Sequence, residues 1–454
     1  MKNKTMNILL INYNNGSRWP VLPEHLLVLS DVLNRNSHRV EIKDYNLTKE
    51  PYEKLEEILF SYDVVGLGFI SGYYQHAEVH NIAKIINKSS YRKQFKFIIG
   101  GHAPSAAPEY YKNFLRADTV FTGPAEISLP AWLESGMPDG IVPSKGYDDT
   151  PHSYDIDGMN VYKRIRFPAT KNDEFAIQLL SGRGCPYQCT FCYRMNQKFL
   201  QYDIPDLLDK IVWLAEQHAI RHFQLSDELF MANRKYIEKF CDAVVDVQMK
   251  KGWQFGFDCN ARLNMAKPDL LIKMKNAGFR YLNFGVEALD NKVLSAMNKK
   301  QTVDEVIQGI ERTLTVGLSP GINIMWGNLY DTDKTLQKAV EFINNYSDGV
   351  ELRTIRPVTP YPGSALFDKL LQEGRLQADN SIEYFYKKHV NSDLFSFHWM
   401  PEITNEEADK MLYWANMEIF NKYILDHKKK VIEDTKDFYE HLTPPQYFRG
   451  WREV

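Results

Sequence analysis

The chain has 454 residues, 44% of them hydrophobic and 25% charged, a balance ordinary for a water-soluble globular protein of two to four domains. A formal charge of −3 excludes a chain-wide field that would recruit nucleic acid or anionic membrane. Five cysteines, three of them crowded together, exclude a disulfide framework and fit a reducing, cytoplasmic setting.

In chain order, the apolar run in "MNILLIN" is too short for a secretory signal or a membrane span and reads as a first strand, ending at Asn14-Asn15-Gly16. "PEHLLVLSDVLNRN" has helical spacing, with Leu26, Leu29 and Leu33 on one stripe. "HRVEIKDYN" reads as a strand, "LEEILFSY" as a helix, "DVVGLGFIS" as a buried strand and "AEVHNIAKIINKS" as a helix. "FKFIIGG" and "TVFTG" are the last strands expected of a first domain over 1–140. Such alternation predicts a doubly wound parallel sheet with its ligand at the carboxyl ends of the strands. The polar stretch 141–172, with Pro143, Asp148-Asp149 and Pro151, reads as a linker. Residues 173–368 alternate again through "FAIQLLS", "HFQLSDE", "WQFGFDCNAR", "YLNFGVEA", "PGINIMWGN" and "GVELRTIRPV". Six βα units predict a partial (β/α)6 barrel. In 253–262, Trp253, Phe255, Phe257, Cys259 and Ala261 share one face; Gln254, Gly256, Asp258, Asn260 and Arg262 share the other. A strand with one polar face implies a lumen that holds something polar. Residues 369–454 read as a mainly helical cap, and Lys428-Lys429-Lys430 as a solvated face.

The chemistry concentrates in "RGCPYQCTFCY", where Cys185, Cys189 and Cys192 follow a strand with C-x-x-x-C-x-x-C spacing. Thiolates select a soft metal, zinc or iron–sulfur. A closed zinc site wants a fourth ligand, and Cys241 and Cys259 fall on apolar positions. A cubane held by three thiolates leaves one iron open to a small chelating molecule.

This segment resembles the signature of radical S-adenosylmethionine (radical SAM) enzymes. The resemblance implies that Cys185, Cys189 and Cys192 ligate a [4Fe–4S] cluster whose fourth iron chelates S-adenosylmethionine, and that Phe191 shields it. "LSDELF" resembles the family's second-strand motif and points to Asp227 and Glu228 as cofactor contacts. "NARLN" points to Arg262, and "FGVEA" to Glu287. "NIMWGNLYDT" keeps Gly327 of the family's "F-I-L-G-L-P-G-E-T" but replaces Leu-Pro-Gly by Asn328-Leu329-Tyr330. "TPYPGSALF" matches the closing "P-Y-P-G-T". The opening resembles cobalamin-binding, Rossmann-like domains fused to such barrels, through "VLPEHLLVLSDVLNRNSHRVEIKDYN", "GLGFISGYYQHA", "IIGGHAPSAAPE" and "VFTGPAE". There is no D-x-H-x-x-G histidine motif. The resemblance implies cobalamin contacts from Gly100, Gly101, His102, Gly123 and Glu126, and from the loop carrying Tyr73, Tyr74, Gln75 and His76.

The implied activity is methylation of an unactivated carbon in a small molecule or peptide, through a 5′-deoxyadenosyl radical and methylcobalamin. An electron donor such as flavodoxin or ferredoxin is implied as partner, with neither nucleic acid nor membrane. The same architecture also suits a cobalamin-dependent cyclase or ring-rearranging enzyme, and a zinc-binding scaffold is the reading from another class. Arg353, Arg356 and the aromatics Tyr384, Phe385, Tyr386, Phe395, Phe397, His398 and Trp399 are further candidates to line a substrate pocket.

Overall fold

The computed structural model describes residues 4–16, 21–70, 73–148, 152–153, 159–165, 167–171, 174–193, 199–376, 382–383, 400 and 403–441, with the side chains of 73, 74, 434, 435, 438, 439 and 441 outside that description. The seven aromatic candidates from Tyr384 to Trp399 lie outside the described residues.

Six strands form the first sheet: β1 Asn7–Asn12, β2 Arg39–Asp44, β3 Val64–Gly68, β4 Lys96–Gly100, β5 Thr119–Thr122 and β6 Gly140–Pro143. All pairings are parallel, in the order β2-β1-β3-β4-β5-β6. Period-two alternation divides its side chains between two cores. Leu9, Ile11, Val65, Leu67, Phe97 and Ile99 pack toward the helices Tyr73–Lys88 and Pro108–Leu115. Ile8, Leu10, Val64, Ile98 and Phe121 pack toward the helices Glu24–Arg35 and Ser128–Glu134. On that second face the same alternation puts glycine, not a bulky residue, at 66 and 68 of β3 and at 100 of β4. The core is therefore complete at the amino ends of the strands and hollow at their carboxyl ends.

Three local expectations differ from the structure. "LEEILFSY" forms two short 3-10 turns, Tyr52–Glu57 and Leu59–Ser61. The segment "SGYYQHA", read as a loop, already starts the helix at Tyr73. The expected linker opens with β6, whose half-open Gly-Ile-Val-Pro edge carries no continuous apolar run.

The second sheet contains β7 Phe175–Leu179, β10 Ile220–Leu225, β11 Gly256–Ala261, β12 Phe279–Glu287, β13 Ser319–Trp326 and β14 Ile355–Pro357, parallel and in sequential order. A two-stranded antiparallel ribbon, β8 Gly182–Arg183 with β9 Leu200–Gln201, flanks the cysteine segment. Outward residues such as Leu179, Phe223, Phe257, Leu282 and Ile324 enter one large core under the surrounding helices. Inward residues are amides and charges. Asn283 Nδ2 donates to Asn260 Oδ1 at 2.9 Å, Asn323 Nδ2 donates to Asn283 Oδ1 at 2.8 Å, and Arg353 Nη1 donates to Asn323 Oδ1 at 2.8 Å. A half-barrel leaves an open edge at β14. The last helix, Asn405–His441, covers it. There Asn416 accepts from Ile355 N at 2.7 Å and donates to Ile355 O at 3.0 Å, as a paired strand would. Among the described residues, no helix is long and apolar enough to cross a membrane.

Candidate active site

The site gathers at the carboxyl ends of the barrel strands, where the first sheet's carboxyl ends meet them. A cavity of 370 Å³ there is lined by Cys185, Cys189 and Cys192 together with Glu228, Arg262, Glu287 and Lys299. Two of the three thiols are half-buried and Cys192 is exposed. Cys241 and Cys259 are buried in the core behind the strands, where burial pushes their thiols well above the usual range, Cys241 to about 12. Neither can complete a four-ligand site with the trio.

The cysteine segment is held by the strand next to it. Asp227 accepts from Ser181 N at 2.7 Å and Gly182 N at 3.0 Å, and Glu228 accepts from Gly184 N at 2.8 Å. These neighbours divide the labour. Glu228 is exposed on the cavity wall, whereas Asp227 is buried behind it, its carboxyl pushed up to about 7 by burial despite those hydrogen bonds. Asp227 therefore clamps backbone and does not face the cavity. Phe191 lines the cavity and packs on Val293 and Met297 on one side and on Val358 and Leu366 on the other.

The charged part of the lining is a linked group. Glu287, at the end of β12, adopts φ +68°, a left-handed conformation that L-residues occupy at a cost and that clusters at functional sites. Its carboxylate meets Lys299 Nζ at 2.7 Å, with both side chains almost fully buried. The Lys299 carbonyl accepts from Arg262, whose guanidinium lies 3.6 Å from the Tyr187 ring centroid. Asn260, Asn283 and Asn323 form the floor. Gly327, by contrast, is not in this lining: its N–H donates to Asp331 at 3.0 Å inside the next loop.

A second cavity, of 130 Å³, is the hollow left by Gly66, Gly68 and Gly100 between the first sheet and its helices Glu24–Arg35 and Ser128–Glu134. Gly101, Gly123 and Glu126 line it as well. Gly101 has φ +100°, and a Cβ there would stand 2.4 Å from the Phe69 carbonyl, so only glycine fits. The two cavities abut. Gly101 lines one and His102 the other; Arg183 lines one and Gly184 the other. Arg183 bridges the domains, pairing with Glu126 and donating to Tyr202 Oη at 3.0 Å.

The helix that starts at Tyr73 points elsewhere. His76 is buried against Phe114 and Tyr110, with its Nε2 3.5 Å from the Tyr110 hydroxyl, and faces neither cavity. Gln75 also stands outside both linings, and the side chains of Tyr73 and Tyr74 are outside the described residues. Sequence reading missed His25, Arg183 and Lys299. Arg183 could have been found from its place directly before the cysteine motif. The other two carry no local signal.

Residues 179–343 match the profile of the Radical SAM superfamily. The chain is 29% identical over 297 residues to a hopanoid C-2 methylase of Rhodopseudomonas palustris, an alignment covering 63% of this chain and 54% of the relative. It thus spans about half the length of that protein. An uncharacterized methyltransferase of Pyrococcus horikoshii is 21% identical, with 90% of this chain and 88% of the relative covered. Among solved structures, the radical S-adenosylmethionine methyltransferase TsrM of Kitasatospora setae, with cobalamin and a [4Fe–4S] cluster bound, shares the fold at a TM-score of 0.72 and 14% identity, covering 92% of this chain and 89% of that one. The three cysteines that line the cavity thus lie in the part of the chain, residues 179–343, that matches the Radical SAM superfamily.

Proposed function

We propose that the protein is a cobalamin-dependent radical SAM enzyme that methylates an unactivated carbon of a small-molecule or peptide substrate. The observation that carries this reading is the abutment of the two cavities, one bearing three soft thiols and the other a glycine-walled slot. The residues fit both groups. Three thiolates with no fourth protein thiol suit a cubane with one open iron, and a slot walled by Gly66, Gly68 and Gly100, whose backbone carries no side chain, suits a bulky ligand pressed against it.

Cys185, Cys189 and Cys192 would hold the cluster. When bound, the cluster and S-adenosylmethionine supply a 5′-deoxyadenosyl radical, and cobalamin relays a methyl group taken from a second S-adenosylmethionine. The chain's own part is positioning and exclusion. Glu228, Arg262 and Glu287, with Lys299, offer both signs of charge around the cavity for an amino-acid head group. Phe191 closes the cysteine side with apolar surface, and Asp227 fixes the backbone that carries Cys185. Gly327 acts at one remove, through the loop that ends at Asp331. Gly100, Gly101, Gly123 and Glu126 would shape the slot for cobalamin, with His102 at the junction. Gln75 and His76 stand outside both cavities, which leaves Tyr73 and Tyr74 as that segment's cobalamin candidates. The expected electron donor is a flavodoxin or ferredoxin.

The test uses anaerobically reconstituted protein with hydroxocobalamin, a reductant and S-adenosylmethionine labelled in its methyl group. The labelled methyl is expected on the protein-bound cobalamin, together with 5′-deoxyadenosine. Deoxyadenosine without methyl on the corrinoid would favour a cyclase or rearrangement instead, and protein that takes up zinc but no iron and sulfide would sink the whole reading.

A further inference from the structure

The last helix, Asn405–His441, has two apolar faces. One belongs to the fold: Ala408, Leu412, Ala415 and Ile419 enter the barrel's core, and Asn416 closes the edge of β14. The other looks outward. At about 100° per residue, Tyr413, Trp414, Phe420, Leu425 and Ile432 fall within an arc of about 140° on the opposite side of the helix. They are between 42% and 69% exposed and stand outside the barrel's core. Tyr413, Met417, Phe420 and Ile424 follow one another at spacings of four, three and four, the seam that a coiled coil uses. A helix that is apolar on both faces is ordinarily buried on both.

The charges beside this stripe restrict what covers it. In the first half of the helix, Glu406, Glu407, Asp409 and Glu418 are exposed, with Lys410 among them. In the second half the exposed residues beside the stripe are Lys428, Lys429 and Lys436. Asp426 and Glu433 turn the other way, toward Ile343 and Arg353. The outward side is therefore acidic before Phe420 and basic after Leu425. A helix that lies on a membrane carries its Lys and Arg along its whole polar face. A parallel copy of the same helix would set like charges together. An antiparallel copy sets each half against its opposite, and the same patch then serves both partners. Size agrees as well. Tyr413 to Ile432 spans about 30 Å, and two such stripes face to face would bury on the order of 1,000 Å², where specific interfaces begin.

We propose that the protein forms a twofold dimer through its last helix, the outward stripe packed antiparallel on that of a second copy. The inference rests on the fold and is independent of the cofactor reading. The second copy would brace the helix whose other face closes the barrel's open edge.

The experiment is sedimentation velocity on the full-length, cluster-loaded protein across the micromolar range. A species of two chains is expected. Tyr413→Lys and Phe420→Glu should each raise the dissociation constant at least about tenfold. Tyr413 is the more exposed of the two, so its variant tests the stripe even where Phe420→Glu disturbs folding; unchanged melting temperature and cluster absorbance show which variants are folded. Lys428→Glu with Lys429→Glu should weaken the dimer about tenfold. Adding Glu406→Lys and Glu418→Lys in the same chain should return it to within about twofold of wild type, as antiparallel pairing requires. A wild type that stays monomeric, a dimer indifferent to both stripe variants, or a second reversal that deepens the first overturns the proposal. A monomer that floats with phosphatidylglycerol vesicles also overturns it and gives the stripe to a membrane.

Discussion

Glu287 and Lys299 set the limit of what single residues disclose. Glu287 stands in "FGVEA", at a strand end where an acid is easily picked out. Lys299 stands in "MNKKQ", beside Lys300, and adjacent lysines usually mean a solvated face. Only the fold separates them: Lys299 is 5% exposed and bonded to Glu287, while Lys300 is exposed. Lys299→Met would leave the Glu287 carboxylate buried without its cation. Removing one partner of a buried pair costs about 3–5 kcal/mol. The variant should therefore melt well below wild type and bind S-adenosylmethionine more weakly, as read by calorimetry and equilibrium dialysis. A melting point within a degree of wild type would show that the carboxylate finds another partner.

At the scale of elements, hydrophobic periodicity disclosed five barrel strands, because each presents an unbroken apolar face to the outer helices; of the sixth expected stretch, 349–358, only Ile355–Pro357 forms a strand. It missed β6, which is an edge strand of four residues, and the start of the helix at Tyr73, where aromatic residues resemble loop as much as helix. The loop after β13 shows what a departure from the family pattern does. Tyr330 occupies φ +74°, where the family's glycine would be unstrained. The residue is 47% exposed, and Lys292 Nζ lies 3.9 Å from its ring centroid. Tyr330→Gly should keep the loop path and stabilise the protein by about 1 kcal/mol, the left-handed penalty less the entropy of glycine; a lower melting temperature would mean that the Lys292 contact outweighs the strain.

The same loop closes on Asp331, which accepts from Gly327 N, Asn328 N and Thr335 Oγ1 at 3.0, 2.9 and 2.8 Å. Burial outweighs these bonds and pushes its carboxyl up to about 6. An acid whose folded pKa lies above its unfolded one holds a proton that the unfolded chain has lost. Its contribution to stability is then present at low pH and falls as pH rises from about 4 to about 6, by on the order of 3 kcal/mol. Asp331→Asn cannot titrate. The stability of the Asn variant relative to wild type, from urea unfolding, should rise across that window and level off above it; a difference independent of pH would mean that Asp331 ionises as an ordinary carboxyl.

For the whole molecule, the question is what keeps the two six-stranded sheets in register so that their cavities abut. The contacts between them are both apolar and polar: Leu22 and Leu27, with Ile42 and Leu47 beside them, pack into the barrel's core, and three polar contacts join in. Asp44 meets Tyr162, Ser226 Oγ donates to Glu24 at 2.6 Å, and Glu126 pairs with Arg183. The last is the most buried ion pair of these, with side chains 4% and 13% exposed, and it sits one residue before Gly184 on the cysteine segment. The guanidinium also meets the Tyr202 hydroxyl and lies 5.3 Å from the Tyr147 ring centroid, neither of which carries a full negative charge. Glu126→Ala should strand the Arg183 charge and destabilise the domain contact by several kcal/mol. The loss should persist in 1 M salt, which screens exposed pairs but not buried ones. Replacing both residues, as Glu126→Ala with Arg183→Met, removes the stranded charge. The double variant should therefore be more stable than the single Glu126→Ala variant, while cobalamin affinity stays reduced in both because both residues line the slot. Stability losses that simply add would show that the pair is not coupled, and that some other contact holds the cavities face to face.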